Sequence, residues 1–365
     1  MPATPTRLLF GPGPSDVAPS VLEAMSRPVI GHLDPAFVTL LDEVAAMLRD
    51  VFRTDNEVTF AVSGTGSAGM EMALVNLLEP GNRAVVCVAG VFGERLAEIA
   101  RRCGADVVEV RADWGSPVED AAVASALAEG PAKIVALVHA ETSTGMRQPV
   151  EGIARAAADA GALIVLDAVT SLAGIPVLVD EWGIDVCYSG TQKCLSVPPG
   201  LSPVTFSPRA MDAIRARRSP PSSWYLDVSL VTRYWGADRV YHHTAPISML
   251  YALHEGLRLV LEEGLEARWA RHEALGGKLQ VALVEKGFSL LARDGFRLPQ
   301  LTAAAVPDGV DERAARARLL DHHGIEVGGG LGAFAGVAWR VGLMGESCRE
   351  DKLERLLAAI GDVLN

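Results

Sequence analysis

From about residue 58 to about 206, short apolar runs alternate with amphipathic stretches, and no other feature of the chain constrains its fold as tightly. "VTFAV", "RAVVCV", "DVVEV", "KIVALVH", "ALIVLD", "DVCYSG" and "SPVTFS" read as strands. "AGMEMALVNLL", "GERLAEIARRCG", "VEDAAVASALAEG" and "GIARAAADAG" read as helices between them. Strands that are apolar throughout, rather than at every second residue, are covered on both faces, so the pattern predicts an open, mostly parallel α/β sheet. A helical tract over 246–287 leads to a different texture: "TAAAVP", "DERAARARLLDHHG", "IEVGGGL" and "VAWRVGLM" read as strand, helix, strand, strand, closed by the helix "SCREDKLERLLAAIGDVL". The expected organisation is an N-terminal arm (1–19), a large domain (20–263) and a small C-terminal α+β domain (264–365). The Pro-rich patches "GPGPSDVAPS" and "RRSPPSSWYL" read as arm or loop.

A chain of 365 residues, 49% hydrophobic, has the core for two domains. Its net charge of -12, with no basic cluster, argues against a nucleic-acid surface. A small anion remains a possible ligand, because backbone dipoles can bind one on an acidic protein. The five cysteines include no C-x-x-C pair and are odd in number, which fits a reducing compartment better than a disulfide framework. No apolar run approaches a membrane span, and "MPATPTRLLF" is too short and Pro-interrupted for a secretory signal. A soluble cytoplasmic protein is the expectation.

"SGTGSAG", residues 63–69, holds G-x-G-x-x-G at Gly64, Gly66 and Gly69 between a strand and a helix. A dinucleotide would also need an acidic residue at the end of the next strand, about 20 residues on. That strand, "RAVVCV", runs into Ala89, Gly90, Val91 and Phe92, and the first acid, Glu94, falls within the following helix. The dinucleotide reading therefore fails. The loop is either a plain tight turn or a seat for one phosphate at a helix N-terminus, with Ser63, Thr65 and Ser67 as hydroxyl donors.

Further along, Asp167 ends the apolar run "ALIVLD", at the strand edge where open α/β sheets bind ligands. Alone it reads as a cap for the next turn sooner than as a charge aimed at a ligand. Lys193 follows another strand in "SGTQKCLSVPPG", surroundings too apolar and small for an ordinary surface lysine. Desolvation disfavours the charged amine and makes it a nucleophile for carbonyls. One βα-sized interval separates the two residues. Lysine, carboxylate and phosphate seat together are what pyridoxal 5′-phosphate requires: an amine for its aldehyde, a partner for its ring nitrogen and a cradle for its phosphate.

Set in order along the chain, "LLFGPGPSDVAPSVL", "VIGHLDPAF", "SGTGSAGMEMALVNLLEPG", "VHAETSTG", "LDAVTSLAG", "YSGTQKCLSVPPGLSPVTFS", "YHHTAPI" and "WRVGLMG" resemble the class V pyridoxal-phosphate aminotransferases, in particular the alanine–glyoxylate and serine–glyoxylate group. The resemblance implies a fold type I transferase: a large domain around a mostly parallel seven-stranded sheet, a small C-terminal domain and a homodimer. It implies Lys193 as the Schiff-base lysine and Asp167 as the partner of the ring nitrogen. Ser63, Gly64, Thr65, Gly66, Ser67 and Gln192 fall at phosphate-side positions, and Val169 at a cofactor-side one. Thr142 matches the residue near the phenolic oxygen, and Arg340 the one that grips the substrate carboxylate with its planar fork. Gly31 falls in a segment that lines the substrate pocket. Tyr241 and Thr244 match residues that reach the phosphate of the neighbouring subunit. Two positions depart from some relatives: Phe92 stands where a tryptophan stacks on the ring, and Ser67 where a histidine lies in the phosphate loop.

The activity this implies is transfer of the amino group of alanine or serine to glyoxylate. Alternatives are ureidoglycine–glyoxylate transamination and a cysteine desulfurase, the latter needing a mobile cysteine near the substrate; Cys348 is the one cysteine of the small domain. A nucleotide-dependent oxidoreductase or a non-catalytic binder is disfavoured by the missing acid and by the Asp167–Lys193–Arg340 set. Metal binding is not expected: His242–His243 and His322–His323, taken as neighbours on a strand, would point to opposite faces with no third ligand in reach. Cys194 reads as a small buried residue, and Glu141 as either a catalytic base or a hydrogen-bonding support.

Overall fold

The computed structural model describes residues 5–364; residues 1–4 of the expected arm and Asn365 lie outside them. Its main sheet has seven strands, ordered across the sheet as Val58–Ser63, Leu201–Phe206, Val186–Tyr188, Leu163–Asp167, Ile134–Val138, Arg83–Val88 and Asp106–Arg111. Only Leu201–Phe206 runs antiparallel to its neighbours. Each is one of the apolar runs read as strands.

The continuous apolar character has the expected cause. In "RAVVCV", Val85 and Cys87 join the core on one face of the sheet, while Ala84, Val86 and Val88 join the core on the other. One face is covered by helices that include Gly66–Leu77, Val91–Arg102 and Pro208–Arg215. The other is covered by Pro35–Phe52, Asp120–Ala128, Glu151–Asp159 and Ile247–Glu263. Pro35–Phe52 carries an unread start signal, Asp34 accepting from Ala36 N–H at 2.9 Å with proline at the first helical position.

Three expectations need correction. The tract over 246–287 is two helices, Ile247–Glu263 and Leu265–Glu285, parted by Gly264 at φ 82°. The first packs on the main sheet, whereas Leu275, Leu279 and Leu283 of the second join the core of the C-terminal sheet. Between Asp167 and Val186 the chain makes turns and no helix, so the interval before Lys193 is not a βα unit. The expected N-terminal arm holds an unread strand: Leu8–Phe10, just ahead of the Pro-rich patch, pairs in parallel with Ile325–Val327 and forms the edge of a five-stranded sheet whose other strands are all C-terminal. Among the described residues no helix is long and apolar enough to cross a membrane.

Candidate active site

The glycine loop is shaped by close approach as much as by its turn. Gly64 adopts φ 153°, and a Cβ there would meet that of Ala68 at 2.6 Å. A Cβ on Gly66 would come 2.9 Å from Val169, and one on Gly69 would come 2.2 Å from the Ser202 hydroxyl. The helix Gly66–Leu77 thus lies hard against the sheet. Its N-cap, Thr65, makes no side-chain capping bond; Ala68 N–H donates to the Thr65 carbonyl at 2.7 Å, and the positive end of the helix at Gly66 and Ser67 lines the cleft.

Asp167 sits at the C-terminal end of its strand, almost fully buried. Its Oδ1 accepts from Val169 N–H and its Oδ2 from the Tyr188 hydroxyl, both at 2.9 Å. Tyr188 is its register partner on the adjacent parallel strand. Burial pushes the carboxyl up to about 6; the two donors and the Lys193 charge oppose that, and the Glu141 charge adds to it.

Lys193 follows the strand Val186–Tyr188 in a turn-rich loop. Burial lowers its amine to about 8, with the Arg340 charge acting in the same sense and Asp167 opposing. The amine donates to the Pro12 carbonyl. The same N-terminal segment clasps the loop backbone: Ser15 N–H donates to the Gln192 carbonyl at 3.0 Å, and the Ser15 hydroxyl to that of Lys193 at 2.7 Å. On the other side Arg268, from Leu265–Glu285, donates to the Cys194 carbonyl at 2.6 Å while pairing with Glu263 at 2.5 Å. Ser196, at φ 54°, accepts from Glu346 N–H at 2.7 Å. The lysine is therefore held from both ends of the chain.

Of the residues singled out in the sequence, Thr65, Gly66, Ser67, Phe92 and Thr142 line one cleft with Asp167, Val169, Gln192 and Lys193. About 530 Å³ of empty space lies among them. Ser63 and Gly64 form the approach, the Ser63 hydroxyl lying 2.8 Å from His243 Nε2. Arg340 stands on the strand Ala338–Gly342 outside that lining, buried, its Nε donating to the Gly329 carbonyl at 2.8 Å. Gly31, Tyr241 and Thr244 are exposed and also outside it, and the Tyr241 ring lies 5.4 Å from that of His32. Sequence reasoning missed Pro12, Gly13, Tyr188 and Arg95. Tyr188 alone left a signal, since two parallel strands ending at one sheet edge bring their last residues into register.

Glu141 is a support. Its carboxylate accepts from the N–H groups of Phe92 (3.1 Å), Gly93 (3.4 Å) and Ser143 (3.0 Å) and from the Ser143 hydroxyl (2.6 Å), which fixes the start of Val91–Arg102. The histidine pairs are not on strands. His242 and His243 lie in irregular chain, with Trp224 stacked on His242 at 4.5 Å, and His322 and His323 end a helix. Among the described residues no group of three or more metal-ligating side chains is assembled. Cys348 is fully buried, its thiol pushed up to about 11 by that burial, the opposite of a mobile nucleophile.

These parts fit one small ligand: an aldehyde at the desolvated amine, an aromatic ring nitrogen at the buried carboxylate, and one phosphate at the open helix N-terminus.

The aminotransferase class-V family profile matches residues 7–349. The chain is 40% identical to the (S)-ureidoglycine–glyoxylate transaminase of Bacillus subtilis, over 99% of this chain and 91% of that one. It is 40% identical to the alanine–glyoxylate aminotransferase of Oryctolagus cuniculus, over 99% and 93%. The crystal structure of an alanine–glyoxylate aminotransferase from Nostoc sp. superposes with a TM-score of 0.97 at 49% identity, over 100% of this chain and 96% of that one. The chain belongs to the class-V aminotransferases, and the seven-stranded sheet with its cleft is the fold type I transferase architecture of that family.

Proposed function

We propose that the protein moves the amino group of a small L-amino acid, alanine or serine, to glyoxylate, giving glycine and a 2-oxo acid by a ping-pong mechanism. The observation that carries this is the meeting of the Lys193 amine and the Asp167 carboxylate in one buried cleft beside an open helix N-terminus. Relatives named for glyoxylate as acceptor, each covered over most of its length, support the choice of acceptor. As a class-V aminotransferase the protein uses pyridoxal 5′-phosphate, which when bound supplies an electron sink for the bond broken at the substrate Cα.

In this reading Lys193 holds the cofactor and, once freed by the donor, carries the Cα proton. Asp167 keeps the ring nitrogen protonated, and Phe92 covers one face of the ring. Thr142 supports the phenolic oxygen, while the loop from Ser63 to Ser67, with Gln192, holds the phosphate. Arg340 takes the substrate carboxylate. Tyr241, Thr244 and Gly31, exposed and away from the cleft of their own chain, complete the site of a second copy in a homodimer. The five free cysteines support a reducing compartment, the cytoplasm.

The test is a visible spectrum of the purified protein before and after L-alanine, then after glyoxylate. A band bleached by alanine, restored by glyoxylate and lost in Lys193→Ala supports the reading. A protein that stays colourless after incubation with the cofactor overturns it. A donor panel in which ureidoglycine outruns alanine and serine would replace the proposed donor and leave the chemistry intact.

A further inference from the structure

The phosphate loop is short of positive charge. A phosphate monoester carries about −1.5 to −2 charges near neutral pH. The helix N-terminus facing it offers roughly +0.5, and Thr65 and Ser67 offer only neutral hydroxyls. Two cations line the cleft, Lys193 and Arg95. Lys193 is committed to the aldehyde end in the reading above.

Arg95 lies one helical turn beyond Phe92 on Val91–Arg102. Its guanidinium carbon sits 5.0 Å from the centre of the Phe92 ring, and its Nη1 donates to the Ser67 hydroxyl at 3.4 Å. Arg101, Arg102 and Arg111 nearby each hold a glutamate, whereas Arg95 makes no ion pair among the described residues. Its planar fork therefore keeps donors free at the rim of the loop, steadied by a ring on one side and a hydroxyl on the other.

We propose that Arg95 is a phosphate-binding residue: its guanidinium closes the outer wall of the phosphate seat and supplies the charge the loop lacks. The proposal rests on the cofactor reading above. It also joins the two departures noted in the sequence. Ser67 is short enough for the guanidinium to lean over the loop, and Phe92 is the platform it rests on. Arg95 acts in equilibrium binding of the phosphate, before any substrate arrives.

The experiment is equilibrium binding of two probes, pyridoxal 5′-phosphate and unphosphorylated pyridoxal, to the full-length protein freed of cofactor. Wild type is compared with Arg95→Gln and Arg95→Lys, and thermal melts confirm that each is folded. The expected result is a roughly tenfold weaker affinity of Arg95→Gln for the phosphorylated probe. Pyridoxal binding stays unchanged, Arg95→Lys falls between, and added salt narrows the difference. Equal losses for both probes would show that Arg95 acts only by steadying Phe92, and would overturn the proposal. Unchanged binding of both would overturn it as well. Wild type that binds neither probe would remove the cofactor reading itself, an outcome distinct from these two.

Discussion

The amine of Lys193 occupies the space in which a side chain at position 13 would begin: a Cβ built on Gly13 comes 2.7 Å from Nζ. Gly13 also adopts φ 113°, which side chains disfavour. Gly13→Ala should cost about 1–3 kcal/mol of stability from backbone strain and crowding. It should also displace the amine, reducing covalent capture of the cofactor at least tenfold. Thermal melts and a capture rate measured on the same preparation separate the two effects. A Gly13→Ala protein that captures the cofactor at the wild-type rate would show that the segment covers the lysine without confining it.

An amine at about 8 is roughly 10% neutral at pH 7, against about 0.03% for an ordinary lysine. Capture of pyridoxal 5′-phosphate should quicken about tenfold per pH unit up to pH 8 and then level off. The sign for stability follows from the same depression. Lys193's contribution is whole above its unfolded value of 10.5 and is lost as pH falls through 8. Below pH 8 the buried charge therefore costs the cofactor-free protein about 3 kcal/mol. Lys193→Met should melt higher than wild type at pH 7, and the gap should close by about pH 10.5.

Tyr188 donates to the charged form of Asp167 and so lowers a carboxyl that burial raises. Tyr188→Phe should lift it further, moving the acid limb of the pH–rate profile upward by about one unit. The loss of rate should be greater at pH 6 than at pH 8. Asp167→Asn removes the charge outright and should cost about 100-fold or more at every pH. A profile that falls uniformly in Tyr188→Phe would mean that the tyrosine only packs.

How much of this was legible beforehand depended on whether a signal was local. The inner strands, such as Ile134–Val138 and Leu163–Asp167, announced themselves because burial on both faces leaves the run almost wholly apolar; the edge strand Asp106–Arg111 was legible from its valines despite Glu109. Lys193 and Asp167 stood out because each follows such a run. Arg95 did not, because on a solvent-facing turn of an amphipathic helix it resembles Arg101 and Arg102, and only the fold brings it over Phe92 and Ser67. Pro12 was illegible for a different reason: it meets Lys193 across 181 residues of chain, and no spacing rule spans that distance. The break at Gly264 was masked by strong helix formers on both sides of a single glycine.

Arg268 is 5% exposed and joins the Cys194 carbonyl to Glu263. Arg268→Ala should destabilise the protein by about 1–3 kcal/mol: the buried Cys194 carbonyl loses this donor, while Glu263 keeps the Nε and Nη2 of Arg271. Glu263→Gln should cost less in the Arg268→Ala background than in wild type, because one of the two arginines that pair with Glu263 is already gone. Denaturant melts of the two single variants and the double variant close the cycle, and strict additivity would show that the pair is not coupled.

Among the described residues the strand Leu8–Phe10 pairs only with Ile325–Val327, more than 300 residues further along the chain. A ribosome adding about 5–20 residues per second leaves the strand waiting roughly 15–60 s for that partner to be made. Pro12 and Gly13, which cover Lys193, follow directly on the strand and wait with it. A nascent chain stopped short of Ile325 would carry the lysine, the carboxylate and the glycine loop in full, yet the roof over its amine would rest on the Ser15 bonds without the strand pairing that anchors it. The reactive centre is encoded in the middle of the chain but completed only when the two ends meet.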